Sequence, residues 1–148
     1  MERFYQAECD PGQMSPLTLA FVGDCVFELF VRERLVCLAN RPVRDLHRLA
    51  VDQVCCRAQA EASRRLIPLF TDEEAEVFRR GRNTHVTHIP KNSTSADYHA
   101  ATALETLFGY LYLKGELSRL RRFFLLMCEE GGCLLAGGTE EKEKNPGN

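Results

Sequence analysis

Two carboxylates lie where the surrounding residues predict the middle of a buried helix. Asp24 interrupts the apolar segment LAFVGDCVFELF, and Glu105 interrupts AATALETLFGYLYL. Because an unpaired buried carboxylate destabilises a fold by several kcal/mol, each acid needs a cation, a proton or hydrogen-bond donors. Glu28 lies one helical turn after Asp24, so the first segment can present two carboxylates on one face. These acids are the first candidates for chemistry.

Three interpretations of the acids stay open on residue types alone. The first pairs each acid with an arginine, Arg32 or Arg48, in a structural salt bridge. The second is a pair that shares one proton and has shifted pKa values. The third is a site for a hard divalent cation such as Mg²⁺, which prefers carboxylate and water oxygens. Gly23, directly before Asp24, allows another helix to approach closely and so favours the third.

A second candidate region, residues 79–93 (RRGRNTHVTHIPKNS), combines four basic side chains and two histidines with no acidic residue. Its glycine, asparagine and proline predict a loop. One interpretation is a solvated surface loop. The other is a segment that contacts phosphates beside a metal-binding acid pair, since basic side chains position a nucleic-acid backbone while a metal ion activates water. The candidate contacts are Arg79, Arg80, Arg82, Asn83, His85 and Lys91. His85 and His88 lack neighbouring metal ligands, which favours a loop role.

Helix start and stop signals occur along most of the chain and predict an all-α fold without strands. Residues 15–39 and 96–114 are apolar around most of the helix, which is typical of central, buried helices. Ser15 followed by proline and Thr94 followed by Asp97 are helix-start signals. Three further helices are predicted over residues 43–65, 72–78 and 116–130, with Gly131-Gly132 as the final stop.

Length and composition limit the function classes. The 148 residues suit one domain, so a catalytic module and a separately cored binding module do not both fit. The formal net charge of −2 is unlike that of a general nucleic-acid coat, but the basic 79–93 segment leaves the rest of the chain acidic. Seven cysteines without a CxxC pair predict reduced thiols in a cytoplasmic protein. Neither a membrane span nor a signal peptide is indicated.

Three segments resemble the ribonuclease III endonuclease domain. The phrase LAFVGDCVFELFVRERL resembles its first signature helix, and ALETLFGYLYL resembles its second acidic signature. The segment RGRNTHVTHIPKN, with no double-stranded-RNA-binding domain after it, is similar to the Mini-ribonuclease III subgroup. The resemblance covers roughly residues 15–127. The expected organisation is an irregular segment at 1–14, a catalytic domain at 15–135 and a disordered tail at 136–148.

The resemblance implies an all-helical homodimer that cleaves double-stranded RNA with Mg²⁺, or with Mn²⁺ as a substitute, on opposite sides of a shared valley. The implied substrate is the precursor of large-subunit (23S) ribosomal RNA, with a ribosomal protein as the accessory partner. Asp24 and Glu105 match the metal-binding acids of the two signatures and are expected to hold Mg²⁺ for attack on the scissile phosphate. The candidate contacts of segment 79–93 are expected to bind the RNA.

The chain departs from full-length ribonuclease III at two acids. Ala20 stands where a glutamate is expected and Thr102 where an aspartate is expected, as in the Mini-type pattern. Glu28 is expected either to compensate or to form a salt bridge that orients its helix. The surplus apolar residues Phe27, Phe30 and Val31 predict a dimer interface. Two rivals remain: a non-catalytic ribonuclease III-like subunit that binds RNA or protein, and an all-α interaction domain with salt-bridged acids.

Overall fold

In the computed structural model, which describes residues 3–129, six α-helices and two short 3₁₀ helices account for the regular structure, with no strand in that range. The all-α class is therefore confirmed. None of these helices is long and apolar enough to cross a membrane. The α-helices are α1 (Pro16–Leu38), α2 (Val43–Val54), α3 (Cys56–Leu66), α4 (Asp72–Arg82), α5 (Ser95–Lys114) and α6 (Leu117–Glu129).

Helices α1 and α5 form the centre of the fold, as their all-round apolar character predicts. The Ser15 hydroxyl accepts a hydrogen bond from the Thr18 amide at 3.2 Å and so begins α1. The Thr94 hydroxyl accepts from the Asp97 amide at 3.1 Å and begins α5 in the same way. Gly115, at φ 84°, ends α5 in the left-handed conformation that glycine adopts without strain. Both central helices are thus bounded by local signals.

Two glycines let α1 and α5 approach to backbone contact. A Cβ built on Gly23 would overlap the carbonyl oxygen of Glu105 and lie 2.7 Å from the amide nitrogen of Gly109. A Cβ on Gly109 would overlap the carbonyl oxygen of Leu19 and lie 3.0 Å from the nitrogen of Gly23. Any larger residue at either position would push the helices apart. The crossing therefore fixes the separation of the residues beside it, Asp24 and Glu105.

The apolar residues of α1 divide between two faces. Phe27 and Val31, which the sequence predicts at a dimer interface, are instead 1% and 0% exposed in the core of the single chain. Phe30 is half-buried and stacks on Phe124 with ring centroids 5.0 Å apart. The exposed apolar side chains of α1 are others, above all Phe21 and Leu29. The expected interface was wrong for Phe27 and Val31, because both share the helix face of Gly23, which packs on α5. Phe30 instead lines an apolar groove together with Phe21 and Leu29.

Two predicted boundaries differ from the structure. The helix predicted over 43–65 is divided into α2 and α3 at Cys55, whose backbone is extended (φ −68°, ψ 155°). Helix α4 continues past the predicted end at residue 78 to Arg82, so Arg79, Arg80 and Arg82 lie in its last turn rather than in a loop. Basic side chains stabilise a helix at its carboxyl end, which explains the extension. The predicted stop at Gly131-Gly132 and the tail 136–148 lie outside the described residues.

An ion pair attaches α4 to α6. The Glu74 side chain is almost fully buried, and it accepts hydrogen bonds from Nε and Nη2 of Arg119 at 2.7 and 2.8 Å. The same carboxylate accepts from the Thr71 amide and completes a capping box at the start of α4. The Arg119 guanidinium also lies 4.2 Å from the centroid of the Phe123 ring. This arrangement holds α4 in position beside α5.

Candidate active site

The α1–α5 crossing brings Asp24 and Glu105 into side-chain contact. Asp24 follows the buried Gly23 and emerges at the edge of the crossing, where it is exposed, whereas Glu105 is half-buried on α5. The two carboxyl groups are joined by a hydrogen bond. The prediction that both acids are buried was thus wrong for Asp24, because α1 turns this position away from its packed face. The two acids that the sequence singled out nevertheless meet in one site.

The protonation of the pair follows from its surroundings. Burial, together with the negative charge of Asp24, raises the pKa of the Glu105 carboxyl to about 7. Burial and the charge of Glu28 also raise the pKa of Asp24, while the hydrogen bond from Glu105 acts in the opposite direction. Glu105 is therefore the proton donor and Asp24 the acceptor when no cation is present. These pKa shifts favour the second of the three interpretations, a metal-free pair that shares one proton.

The salt-bridge interpretation describes Glu28 but not Asp24. Glu28 accepts hydrogen bonds from Nε and Nη2 of Arg32 at 2.9 and 2.5 Å, one turn further along α1. Arg48, the other candidate partner, lies 3.8 Å from Asp45. No ion pair within residues 3–129 includes Asp24 or Glu105. Glu28 is consequently paired within its own helix, and the acid pair has no ion-pair partner in the described chain.

The two positions that depart from the ribonuclease III pattern supply no ligand. Ala20 and Thr102 are each 6% exposed. The Thr102 hydroxyl donates to the Tyr98 carbonyl oxygen at 3.0 Å, one turn earlier in α5, so it is satisfied within its own helix. The Asp24–Glu105 pair therefore receives no additional carboxylate from either position.

The pair fits a hard divalent cation. Two carboxylates in contact, with burial opposing their ionisation, gain from a positive ion that replaces the shared proton. Mg²⁺ binds proteins through one or two carboxylates and keeps several water ligands, so it needs no larger cage. Within the described chain no group of three or more histidine, cysteine or carboxylate side chains forms a metal cage, at His85 and His88 or elsewhere. The donor set matches Mg²⁺, with water completing the coordination.

Sequence reasoning missed Gln59, the third polar group at the pair. Gln59 projects from α3 and is 1% exposed, and its interaction with the Glu105 carboxylate offsets part of the increase in pKa that burial causes. Its Nε2 atom nevertheless completes no hydrogen bond in the described structure. Glutamine is common in helices, so nothing in the segment CRAQAEASRRL marks this residue. Only the packing of α3 on α5 places it at the site.

The basic segment begins where α4 packs on α5 and is only partly free. Gly81 packs on α5, where a Cβ on it would lie 2.6 Å from the Thr106 hydroxyl oxygen. Arg79 pairs with Glu76 at 2.7 Å, and Nη2 of Arg80 donates to the Met14 carbonyl oxygen at 3.3 Å. The remaining candidates are exposed and take part in no salt bridge within the described chain; they are Arg82, Asn83, His85 and Lys91.

Comparison with known proteins places this architecture in a family. A family model of the ribonuclease III domain matches residues 17–116. A Mini-ribonuclease 3 of Thermoanaerobacter sp. is 43% identical over 113 residues, which cover 76% of this chain and 80% of the relative. A Mini-ribonuclease 3 of Symbiobacterium thermophilum is 46% identical over 111 residues, covering 75% and 85%.

A solved structure has the same fold. The crystal structure of a Fusobacterium nucleatum protein superposes with a TM-score of 0.75 at 24% identity, over 82% of this chain and 97% of that chain. At this identity the likeness concerns the fold alone. The family match, in contrast, spans α1 to α5 and so includes both Asp24 and Glu105. The chain therefore belongs to the ribonuclease III family of endoribonucleases.

Proposed function

We propose that this chain is a Mg²⁺-dependent endoribonuclease that cuts double-stranded RNA as a homodimer, with Asp24 and Glu105 as its metal-binding, catalytic residues. The observation that carries the proposal is the contact between these two carboxylates at the α1–α5 crossing. Family membership gives the reaction class, and the contact between the two carboxylates supports the choice of these residues. Mn²⁺, which also accepts carboxylate and water ligands, is the expected substitute.

The described residues have two roles in the proposed chemistry, which are to hold the cation and to exclude water from it. Asp24 and Glu105 would hold the cation through their carboxylate oxygens, and Glu105 would first have to lose the proton that it shares with Asp24. When bound, Mg²⁺ supplies an activated water and stabilises the charge on the leaving oxygen. The half-buried position of Glu105 limits competing water on the α5 side. Arg82 and Lys91 are exposed and take part in no salt bridge within the described chain, which supports a role in contacting phosphates.

The proposal is tested with purified protein and a long RNA duplex, in Mg²⁺ or in EDTA. Asp24→Asn and Glu105→Gln should fold normally and lose cleavage, because each variant keeps the shape of the site and removes one metal ligand. Glu28→Gln is the matched control on α1 and should retain most activity, since Glu28 pairs with Arg32. Cleavage by Asp24→Asn or Glu105→Gln would refute the assignment. RNA binding without cleavage by the wild-type protein would favour the non-catalytic rival.

We propose the precursor of 23S ribosomal RNA, cut in its terminal stem in the cytoplasm, as the physiological substrate. The support is the 43–46% identity to two proteins named Mini-ribonuclease 3. None of the six cysteines within residues 3–129 forms a disulfide bond, which is typical of a reducing compartment. Cleavage of the terminal stem should exceed that of a scrambled duplex of equal length, and a ribosomal protein bound to the stem should increase the difference. Equal rates on both duplexes would contradict this choice.

For RNA binding we propose the exposed part of the basic segment. Replacing Arg82 and Lys91 together by glutamine should weaken duplex binding and reduce its salt dependence by about two released counterions for each protomer that contacts the duplex. Arg79→Gln is a useful comparison, because Arg79 is already paired with Glu76 and should contribute less. The measurement is binding affinity across a salt series in Ca²⁺, which replaces Mg²⁺ without supporting turnover. An unchanged salt slope in the double variant would identify the segment as a solvated loop.

For the homodimer we propose the outer face of α1 as the interface. Phe21 is 78% exposed and Leu29 51% exposed, with Cys25 between them at one-turn spacing, and they line an apolar groove of about 450 Å³. Phe21→Glu should yield a monomer with reduced cleavage, whereas Val43→Glu, at an equally exposed apolar position on α2, should stay dimeric. Sedimentation equilibrium distinguishes the two states. A dimeric Phe21→Glu variant would place the interface elsewhere.

A further inference from the structure

Gln59 is the described residue whose burial and hydrogen bonding fit worst with a purely structural role. It is 1% exposed, yet its Nε2 atom has no hydrogen-bond partner in the described structure. An unpaired buried N–H group destabilises a fold, so such groups are rare unless a ligand or a changed state satisfies them. The residue belongs to α3, which packs on α5, and its side chain interacts with the Glu105 carboxyl group. The unpaired donor thus belongs to a side chain that neighbours one of the two acids of the site.

The Glu105 carboxyl group has two neighbours of different chemistry. It interacts with the Asp24 carboxyl group across the α1–α5 crossing and with the Gln59 side chain from α3. The direction of the Gln59 effect, which favours the charged carboxylate, is that of an N–H donor. A carboxylate held from behind by a donor has one fixed orientation and keeps its other oxygen for a cation. Gln59 is the only side chain of α2 or α3 that interacts with Glu105 in this way among the described residues.

We propose that Gln59 is a positioning residue, which donates from its buried Nε2 to the Glu105 carboxylate and holds it facing Asp24 and a divalent cation. The inference rests on the proposed metal-dependent function and adds a residue to it. Gln59 touches neither the cation nor the RNA, and it acts through Glu105. Without the donor the carboxylate can rotate away from Asp24, so the cation loses part of its binding site.

The test compares two buried glutamines. Gln59→Met removes the donor and keeps a similar side-chain volume. Gln53→Met is the matched control, because Gln53 on α2 is 4% exposed and also carries an amide atom, Oε1, without a partner. Mn²⁺ binding to the RNA-free protein is measured by electron paramagnetic resonance, and the melting temperature is measured beside it. The melting temperature separates a loss of metal binding from a loss of structure.

We expect Gln59→Met to weaken Mn²⁺ binding by about 10- to 100-fold, with an unchanged or higher melting temperature, and Gln53→Met to leave Mn²⁺ binding as in the wild type. Equal Mn²⁺ affinity in Gln59→Met and wild type would overturn the role of Gln59 while leaving the proposed function in place. A wild-type protein that neither binds Mn²⁺ nor cuts RNA would overturn both. Equal losses of Mn²⁺ affinity in Gln59→Met and Gln53→Met would also overturn the role of Gln59, because they would indicate a general effect on packing.

A second measurement uses the wild-type chain and does not depend on the folding of a variant. The side-chain amide resonances of Gln59 and Gln53 are followed by nuclear magnetic resonance while Mg²⁺ is added. The Gln59 amide protons should shift downfield as the hydrogen bond to Glu105 forms, and those of Gln53 should stay in place. Gln59 resonances that do not move while Mg²⁺ binds would contradict the proposal.

Discussion

Replacing Glu105 by glutamine should stabilise the metal-free protein, although it abolishes the proposed activity. The carboxyl group has a pKa of about 7 in the fold against 4.5 in its ordinary state. This increase corresponds to about 3 kcal/mol, by which ionised Glu105 destabilises the fold. Glutamine has the same shape and no charge to bury. The site is thus expected to lower stability in exchange for a cation-binding carboxylate.

The stabilisation has a defined pH dependence. Between pH 4.5 and 7 the folded protein holds a proton on Glu105 that the unfolded chain has already lost, so the free energy of unfolding falls as the pH rises. Below pH 4.5, Glu105 is protonated in both the folded and the unfolded state, so its destabilising effect disappears. Glu105→Gln should therefore exceed the wild type by about 3 kcal/mol at pH 8, and by less than about 1 kcal/mol at pH 5.

Urea unfolding at pH 5 and pH 8 in EDTA measures both values, with circular dichroism as the signal. Glu28→Gln is the control and should change stability by less than about 0.5 kcal/mol at either pH, because Glu28 is on the surface in an ion pair. Adding Mg²⁺ at pH 8 should stabilise the wild type and not Glu105→Gln. A difference between Glu105→Gln and wild type that is the same at both pH values would refute the reasoning, since only a titrating group produces the change.

Three further predictions concern the same framework. The single-turnover cleavage rate should rise with pH and level off above about pH 7, since the cation needs Glu105 without its proton. A higher Mg²⁺ concentration should move the midpoint of this pH profile to lower pH. A midpoint that is independent of the Mg²⁺ concentration would contradict this. Gly23→Ala should destabilise by about 3 kcal/mol or more in urea unfolding, whereas Gly12→Ala, at an exposed position, should change little. Arg119→Met should lower the free energy of unfolding by about 3–5 kcal/mol at neutral pH, because it leaves the buried Glu74 carboxylate unpaired. The loss should become smaller as the pH falls below 4.5, because pairing lowers the pKa of Glu74 and acid neutralises this carboxylate in both proteins. A loss of stability that is independent of pH would contradict this.

Local sequence signals predicted the two helices that carry the candidate site. Ser15 and Thr94 mark the starts of the two central helices, and the apolar residues around both helices indicate that they are buried. Because charged groups in such helices need an explanation, the residue types alone single out Asp24 and Glu105. They do not separate the environments of the two acids. An apolar helix without an amphipathic face does not show which positions face the core, so the exposure of Asp24 and the burial of Phe27 depend on how α1 packs.

The remaining features depend on contacts between distant segments. Gln59 is an ordinary helix residue until α3 packs on α5. The basic residues at 79–82 resemble a loop because Gly81 and Asn83 break helices, yet Gly81 continues α4 and supplies the space for Thr106. The break at Cys55 carries no proline or glycine, so no local signal marks it. These outcomes are determined by tertiary packing rather than by propensity.

The glycine crossing also determines when the acid pair can first form. Gly23 and Asp24 leave the ribosome early in synthesis, while Glu105 and Gly109 follow only after most of the chain has been made. Since the two acids meet only where the two backbones touch, a partly synthesised chain holds only half of the pair. Docking of α5 onto α1 is a contact of high sequence separation, which requires the intervening chain to close as a loop. Under the proposed function, RNA cleavage is therefore expected only from a chain in which α5 has been made and has docked.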